Sequence, residues 1–226
     1  MMAAIDTPAR LEAPFEAMRH AMVASQLRTS AVDDARVVEV MAKVPREDFV
    51  PQAVRNLAYR DRPLPLGGGR ELNAPLVTGR LLTQAAIGPR DVVLLIGSAA
   101  GYAATLISQL AAKVVAVEED PALRAMASAA VAANDRIILV EGPLAHGAPD
   151  HAPYDVIVVD GAVEQLPYAL LEQARPGGRV VTGLVDRGIT RLASGERTQG
   201  GFGLFDFADM DCVVLPGFEK PRGFRF

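Results

Sequence analysis

Two glycines in G-x-x-x-G spacing, Gly97 and Gly101, followed by an acid at Glu118, are the residues of this chain best placed to handle a small molecule. Glycines in a tight turn let the backbone approach a ligand closely. A carboxylate beyond the next strand can accept two ribose hydroxyls. Ala99 stands between the glycines, so the G-x-G-x-x-G dinucleotide fingerprint is absent. A plain strand–helix turn with no ligand accounts for the same residues about as well. Asp160 ends the apolar run DVIVVD and either offers a carboxylate to the same pocket or caps a turn.

These groups are positioned by a βαβ unit over residues 91–120, DVVLLIGSAAGYAATLISQLAAKVVAVEED. The apolar runs 92–96 and 114–117 suit strands buried on both faces. Residues 102–112 have the length and alanine–leucine content of a helix. Such crossovers are right-handed in nearly all cases. Open α/β sheets bind ligands beyond the carboxyl ends of their strands, where strand order reverses, and Gly97, Gly101 and Glu118 fall at such ends.

The rest of the chain continues the alternation. Residues 1–13 read as frayed. Phe15, Met18, Met22 and Leu27 form a helical stripe. Asp33 and Asp34 can cap a second helix whose Val37, Val38, Met41 and Val44 face inward, and Pro45 stops it. Residues 51–75, with Pro51, Pro63, Pro65, Pro75 and Gly67–Gly69, read as mostly irregular backbone, and a helix follows over 76–86. Asp120 and Pro121 open a helix to 133, closed at Asn134. Strands follow at 137–141, 155–160 and 179–184, with a turn-rich loop over 143–153 and a helix over 167–174. An antiparallel hairpin over 189–198 and 202–207 and a short strand at 212–215 come last. The aromatic, basic tail PGFEKPRGFRF is expected to fold back over a sheet edge or a pocket. The layout is a doubly wound, mostly parallel α/β sheet with N-terminal helices and an antiparallel C-terminal hairpin.

Composition narrows the function classes. The 226 residues are 50% hydrophobic, with net charge −4 and a pI near 5.4. No basic stripe argues for nucleic acid. Cys212 stands alone, so no disulfide framework or cysteine zinc site forms, and His20, His146 and His151 lack acids at ligand spacing. No apolar run reaches membrane-spanning length and no signal pattern opens the chain. A cytoplasmic protein free of metal, nucleic acid and membrane is expected.

MVASQL at 22–27, VPREDFVP at 44–51, AYRDRPLPLGGG at 58–69, IGSAAGY at 96–102, APYDVIVV at 152–159 and RPGGRVV at 175–181 together resemble the protein-L-isoaspartate O-methyltransferase family. The resemblance covers about residues 15–185. It implies a Rossmann-like methyltransferase fold with a seven-stranded sheet: N-terminal helices and a substrate-side loop over 1–75, a cofactor-binding core over 76–226, in one compact unit. It also implies methyl transfer from S-adenosylmethionine to the carboxylate of an isomerised aspartate in damaged proteins, the ester then cyclising to a succinimide. That chemistry needs no general base, since the nucleophile is already ionised and the donor is a sulfonium.

Carried over by motif, Gly97, Ser98, Ala99, Gly101, Tyr102, Glu118, Gly142 and Asp160 would hold the cofactor, and Asn73 would take the catalytic position. The departures cluster there too. Asn73 replaces a serine, with Glu71 beside it; Leu95 replaces an acid, Ala99 a glycine, and Pro143 an acid. Each lost buried hydrogen bond costs about 1–3 kcal/mol, so two or three lost together weaken cofactor binding by roughly two to five decades. Two other functions share the fold: a methyltransferase-fold binding protein that has lost catalysis, and a nicotinamide oxidoreductase, which the glycine spacing disfavours.

Overall fold

The computed structural model describes residues 9–199 and 201–220, with side chains from Pro14 onward. Of the segment expected to fray, residues 1–8 lie outside the described residues, and helix α1 already runs over Ala9–Met22. Met22 and Leu27 are buried, with Phe15 and Met18 packed partly against the same core. Helix α2, Ala35–Lys43, starts where Asp34 accepts from the Arg36 amide at 2.9 Å and ends before Pro45.

The segment expected to be irregular instead carries structure. A 3-10 turn spans Gln52–Leu57, and strands β1 (Leu64–Gly67) and β2 (Arg70–Leu72) pair antiparallel, Leu64 opposite Leu72. Gly67, Gly68 and Gly69 all have positive φ, a run of left-handed backbone open to glycine. The glycines that suggested a loose loop therefore make a hairpin tip.

Helix α3 (Pro75–Ala85) leads into β3 (Val92–Ile96), α4 (Tyr102–Ser108), β4 (Lys113–Glu118), α5 (Pro121–Val131), β5 (Ile137–Glu141) and β6 (Tyr154–Val163). Then come α6 (Tyr168–Leu171), β7 (Ala174–Asp186), β8 (Ile189–Thr198) and β9 (Gly201–Asp209). The predicted helix over 167–174 shrinks to α6, because β7 starts at Ala174 and carries Pro176-Gly177-Gly178 inside it. The expected strand at 212–215 is a single parallel bridge between Val214 and Ala162.

The sheet order is β5-β4-β3-β6-β7-β8-β9, parallel through β7 and antiparallel after it. Successive side chains of β3 alternate between two apolar layers. Val93 and Leu95 join the cluster that also holds Met22, Met41 and Leu81; Leu94 and Ile96 join the one with Tyr154, Leu170 and Phe218. Strand order reverses between β3 and β6, so the crevice for a ligand opens above Ile96 and Val159.

Candidate functional site

The turn after β3 is built to face that crevice. Gly97, Ala99 and Gly101 have φ of 76°, 48° and 94°, and the Gly97 and Ser98 amides both donate to the Val117 carbonyl at 3.1 Å. Left-handed backbone costs a non-glycine residue about 1–2 kcal/mol. The bond from the Ala99 amide to Glu118 Oε2, at 2.7 Å, offsets that strain. Glu118 ends β4 with its side chain 1% exposed.

The hairpin then reaches the same carboxylate. Gly68 at its tip lies so close to Asp120, the cap of α5, that a Cβ there would sit 3.1 Å from Asp120 Oδ2. Arg70, on the returning strand, points back and forks onto Glu118, Nη1 to Oε1 at 2.8 Å and Nη2 to Oε2 at 3.2 Å. Glu118 Oε1 also accepts from the Glu119 and Asp120 amides, both at 3.1 Å. Counting Ala99, five donors converge on two oxygens, which have about four lone-pair sites between them. The carboxylate expected to take a ribose diol is saturated from within.

The far side of the crevice is filled by a second remote segment. Residues 212–218 cross the end of β6: the Ala162 amide donates to the Val213 carbonyl at 2.6 Å, and the Leu215 amide to the Ala162 carbonyl at 2.9 Å. That path drops Leu215, 4% exposed, between two glycines. A Cβ on Gly97 would come within 3.0 Å of Leu215, and one on Gly161 would overlap it. Phe218 anchors the segment in the second apolar layer. Of the aromatic, basic tail over 216–226, Phe218 is buried in that layer, while 221–226 lie outside the described residues.

Asn73 joins the two covers. Its Nδ2 donates to the Asp160 carbonyl at 3.0 Å and to Asp160 Oδ1 at 2.9 Å; its Oδ1 accepts from the Val213 amide at 2.9 Å. Asp160 is thus held through its carbonyl and Oδ1 by Asn73 and is 8% exposed. Burial pushes its carboxyl above the usual range, against the pull of Asn73, Arg46 and Arg70. Cys212, also beside Asn73, has its thiol raised by burial. Arg46, fully buried, was not singled out by sequence. It donates to the Ala58 and Asn73 carbonyls and lies 4.8 Å from the Tyr102 ring centroid. Its place in the VPREDFVP motif was the available signal.

Among the described residues, Arg46 Nη1, Arg70 Nε, Ser98 Oγ and Tyr102 Oη are buried with no hydrogen-bond partner. Each such group costs about 1–3 kcal/mol when it stays unpaired. Leu95 lies inside the first apolar layer and Gly142 faces open space. As arranged, Arg70 holds the Glu118 carboxylate, and Leu215 lies against Gly97 and Gly161.

The sequence model of the Protein-L-isoaspartate(D-aspartate) O-methyltransferase family matches residues 17–203. This chain belongs to that family. A protein-L-isoaspartate O-methyltransferase of Methanoculleus marisnigri is 41% identical over 170 residues, covering 74% of this chain and 77% of the relative. A solved protein-L-isoaspartate O-methyltransferase superposes with TM-score 0.78 at 22% identity, covering 88% of this chain and 66% of that one. A second, from Plasmodium falciparum in complex with S-adenosyl-L-homocysteine, gives 0.76 at 16% identity, over 87% of this chain and 97% of that one. At these identities the structures show the fold: the Rossmann-like methyltransferase sheet with its antiparallel C-terminal strands. The isoaspartate O-methyltransferase family uses S-adenosylmethionine as methyl donor and acts on isoaspartyl-containing proteins. Among the described residues of this member, no helix is long and apolar enough to cross a membrane.

Proposed function

We propose that this chain is an isoaspartyl carboxyl methyltransferase of cytoplasmic protein repair, working from an arrangement in which Arg70 and Leu215 have left the crevice. One observation carries the proposal within the family match. The Gly97–Gly101 turn and Glu118 meet at the strand-order reversal, tied by the Ala99–Glu118 bond of 2.7 Å. When bound there, S-adenosylmethionine would supply an electrophilic methyl group to a carboxylate that is already charged. This chain's own share is positional: Gly97 and Gly101 admit close approach, Glu118 accepts hydroxyls, and Asn73 holds Asp160.

The test is transfer of labelled methyl from S-adenosylmethionine to an isoaspartyl peptide, with the matching aspartyl peptide as control. Transfer confined to the isoaspartyl peptide supports the proposal. No transfer by a variant that binds S-adenosylhomocysteine would remove it. The saturated Glu118 favours a second reading, a methyltransferase-fold binding protein silent in catalysis, and that second outcome would establish it.

A further inference from the structure

Two segments far apart in sequence, the hairpin of β1 and β2 and the strap 212–218, occupy the two halves of one crevice. We infer that Arg70 and Leu215 are internal competitors of the cofactor, and that S-adenosylmethionine or S-adenosylhomocysteine enters only when both withdraw. The inference rests on the proposed use of this crevice as a cofactor site.

The chemistry of each occupant matches the half it fills. Glu118 would accept two neighbouring hydroxyl donors from a ribose; Arg70 supplies two N–H donors from one planar fork at 2.8 and 3.2 Å. Between Gly97 and Gly161 the crevice has no side chains of its own, and the Leu215 isobutyl group fills it. A ligand atom and Leu215 cannot share that space.

The closure has the marks of a reversible contact. The strap pairs with the sheet through a single isolated bridge, Ala162 to Val214, and Val214 is 56% exposed. The hairpin forms a separate two-stranded sheet, so it can leave without breaking a strand pairing of the main one. Closure also strands Arg70 Nε, Ser98 Oγ and Tyr102 Oη without partners. A ligand rich in acceptors can meet the Ser98 and Tyr102 hydroxyls when Arg70 swings out.

Calorimetric titration of the full chain with S-adenosylhomocysteine tests this. The expected result is weak or undetectable binding to the wild type. Affinity should rise about tenfold in Leu215→Ala and further in Arg70→Ala/Leu215→Ala, as the competent fraction grows. If removal of Arg70 prevents folding, Leu215→Ala decides by itself. Amide exchange gives a second readout: the Val214 N–H, next to the substituted position, should exchange faster when the ligand is added to the variant. Tight binding by the wild type with no gain in the variants overturns the inference. So does absence of binding in a folded Leu215→Ala, because the occupant was then not the obstacle. A variant that gains the ligand yet transfers no methyl leaves the inference standing and removes the proposed activity.

Discussion

The two walls of the crevice were made in different ways. The β3–β4 wall, with Gly97, Gly101 and Glu118, comes from one local βαβ unit whose parts are close in sequence. The covering wall comes from residues 64–73 and 212–218, brought together through Asn73 over sequence separations of 87 to Asp160 and 140 to Val213. The local wall rests on backbone freedom at Gly97 and Gly101; the covering wall rests on side-chain contacts of Arg70, Asn73 and Leu215. Binding capacity is therefore decided less by the residues that would touch the cofactor than by those that lie where it would go.

Breaking the Arg70–Glu118 pair should have the largest effect on the fold. Removing one partner of a buried ion pair typically costs 3–5 kcal/mol. Denaturant unfolding of Arg70→Ala is expected to show a loss of about that size. Full wild-type stability would mean that Glu118 is rehydrated and the hairpin does not seal it.

Asn73→Ala comes next, since it strips partners from Asp160 and from the Val213 amide; a loss of about 2–4 kcal/mol is expected from two such groups. Asn73→Ser, the family's residue, should recover part of that stability. Because serine does not reach both walls at once, it should also loosen the strap and speed amide exchange at Val213.

Leu215→Ala removes the plug and is expected to cost about 2 kcal/mol, at the low end for a buried leucine. Ala99→Gly should act in the other direction. It relieves a left-handed alanine and is expected to stabilise by about 1 kcal/mol, read as a higher unfolding midpoint. A loss of stability would mean that the turn is held by more than the Glu118 bond.

The pH profile sharpens the same comparison on the covered side. Burial raises the Asp160 carboxyl, so the folded chain holds that proton more tightly than the unfolded chain, whose value is near 3.8. Its contribution to stability is then full below that value and is lost as pH rises through the raised folded one. Asp160→Asn should flatten that limb of the profile. An unchanged profile would show that Asn73, Arg46 and Arg70 already cancel the burial.

The parallel sheet was legible because its strands, buried on both faces, are continuous apolar runs such as Val92–Ile96, bounded by Gly97 and by Asp120-Pro121 caps. The hairpin was not legible. Three consecutive glycines read as freedom, and whether they make a loop or a turn depends on what Arg70 finds at the far side. The short α6 was missed for a related reason: Pro167 can open a helix, but the pull of β7 pairing with β6 from Tyr154–Ala174 onward ends it early.

The sequence by itself determined the βαβ frame, the glycine turn and the acid at its neighbouring tip, because strands, caps and turns follow from local patterns of size, polarity and backbone freedom. Only the tertiary structure decided whether that acid is free. Arg70, Asn73 and Leu215 carry no local pattern that names their targets. Their partners are chosen by the fold's geometry, where a buried carboxylate must find a donor and an apolar crevice must exclude water.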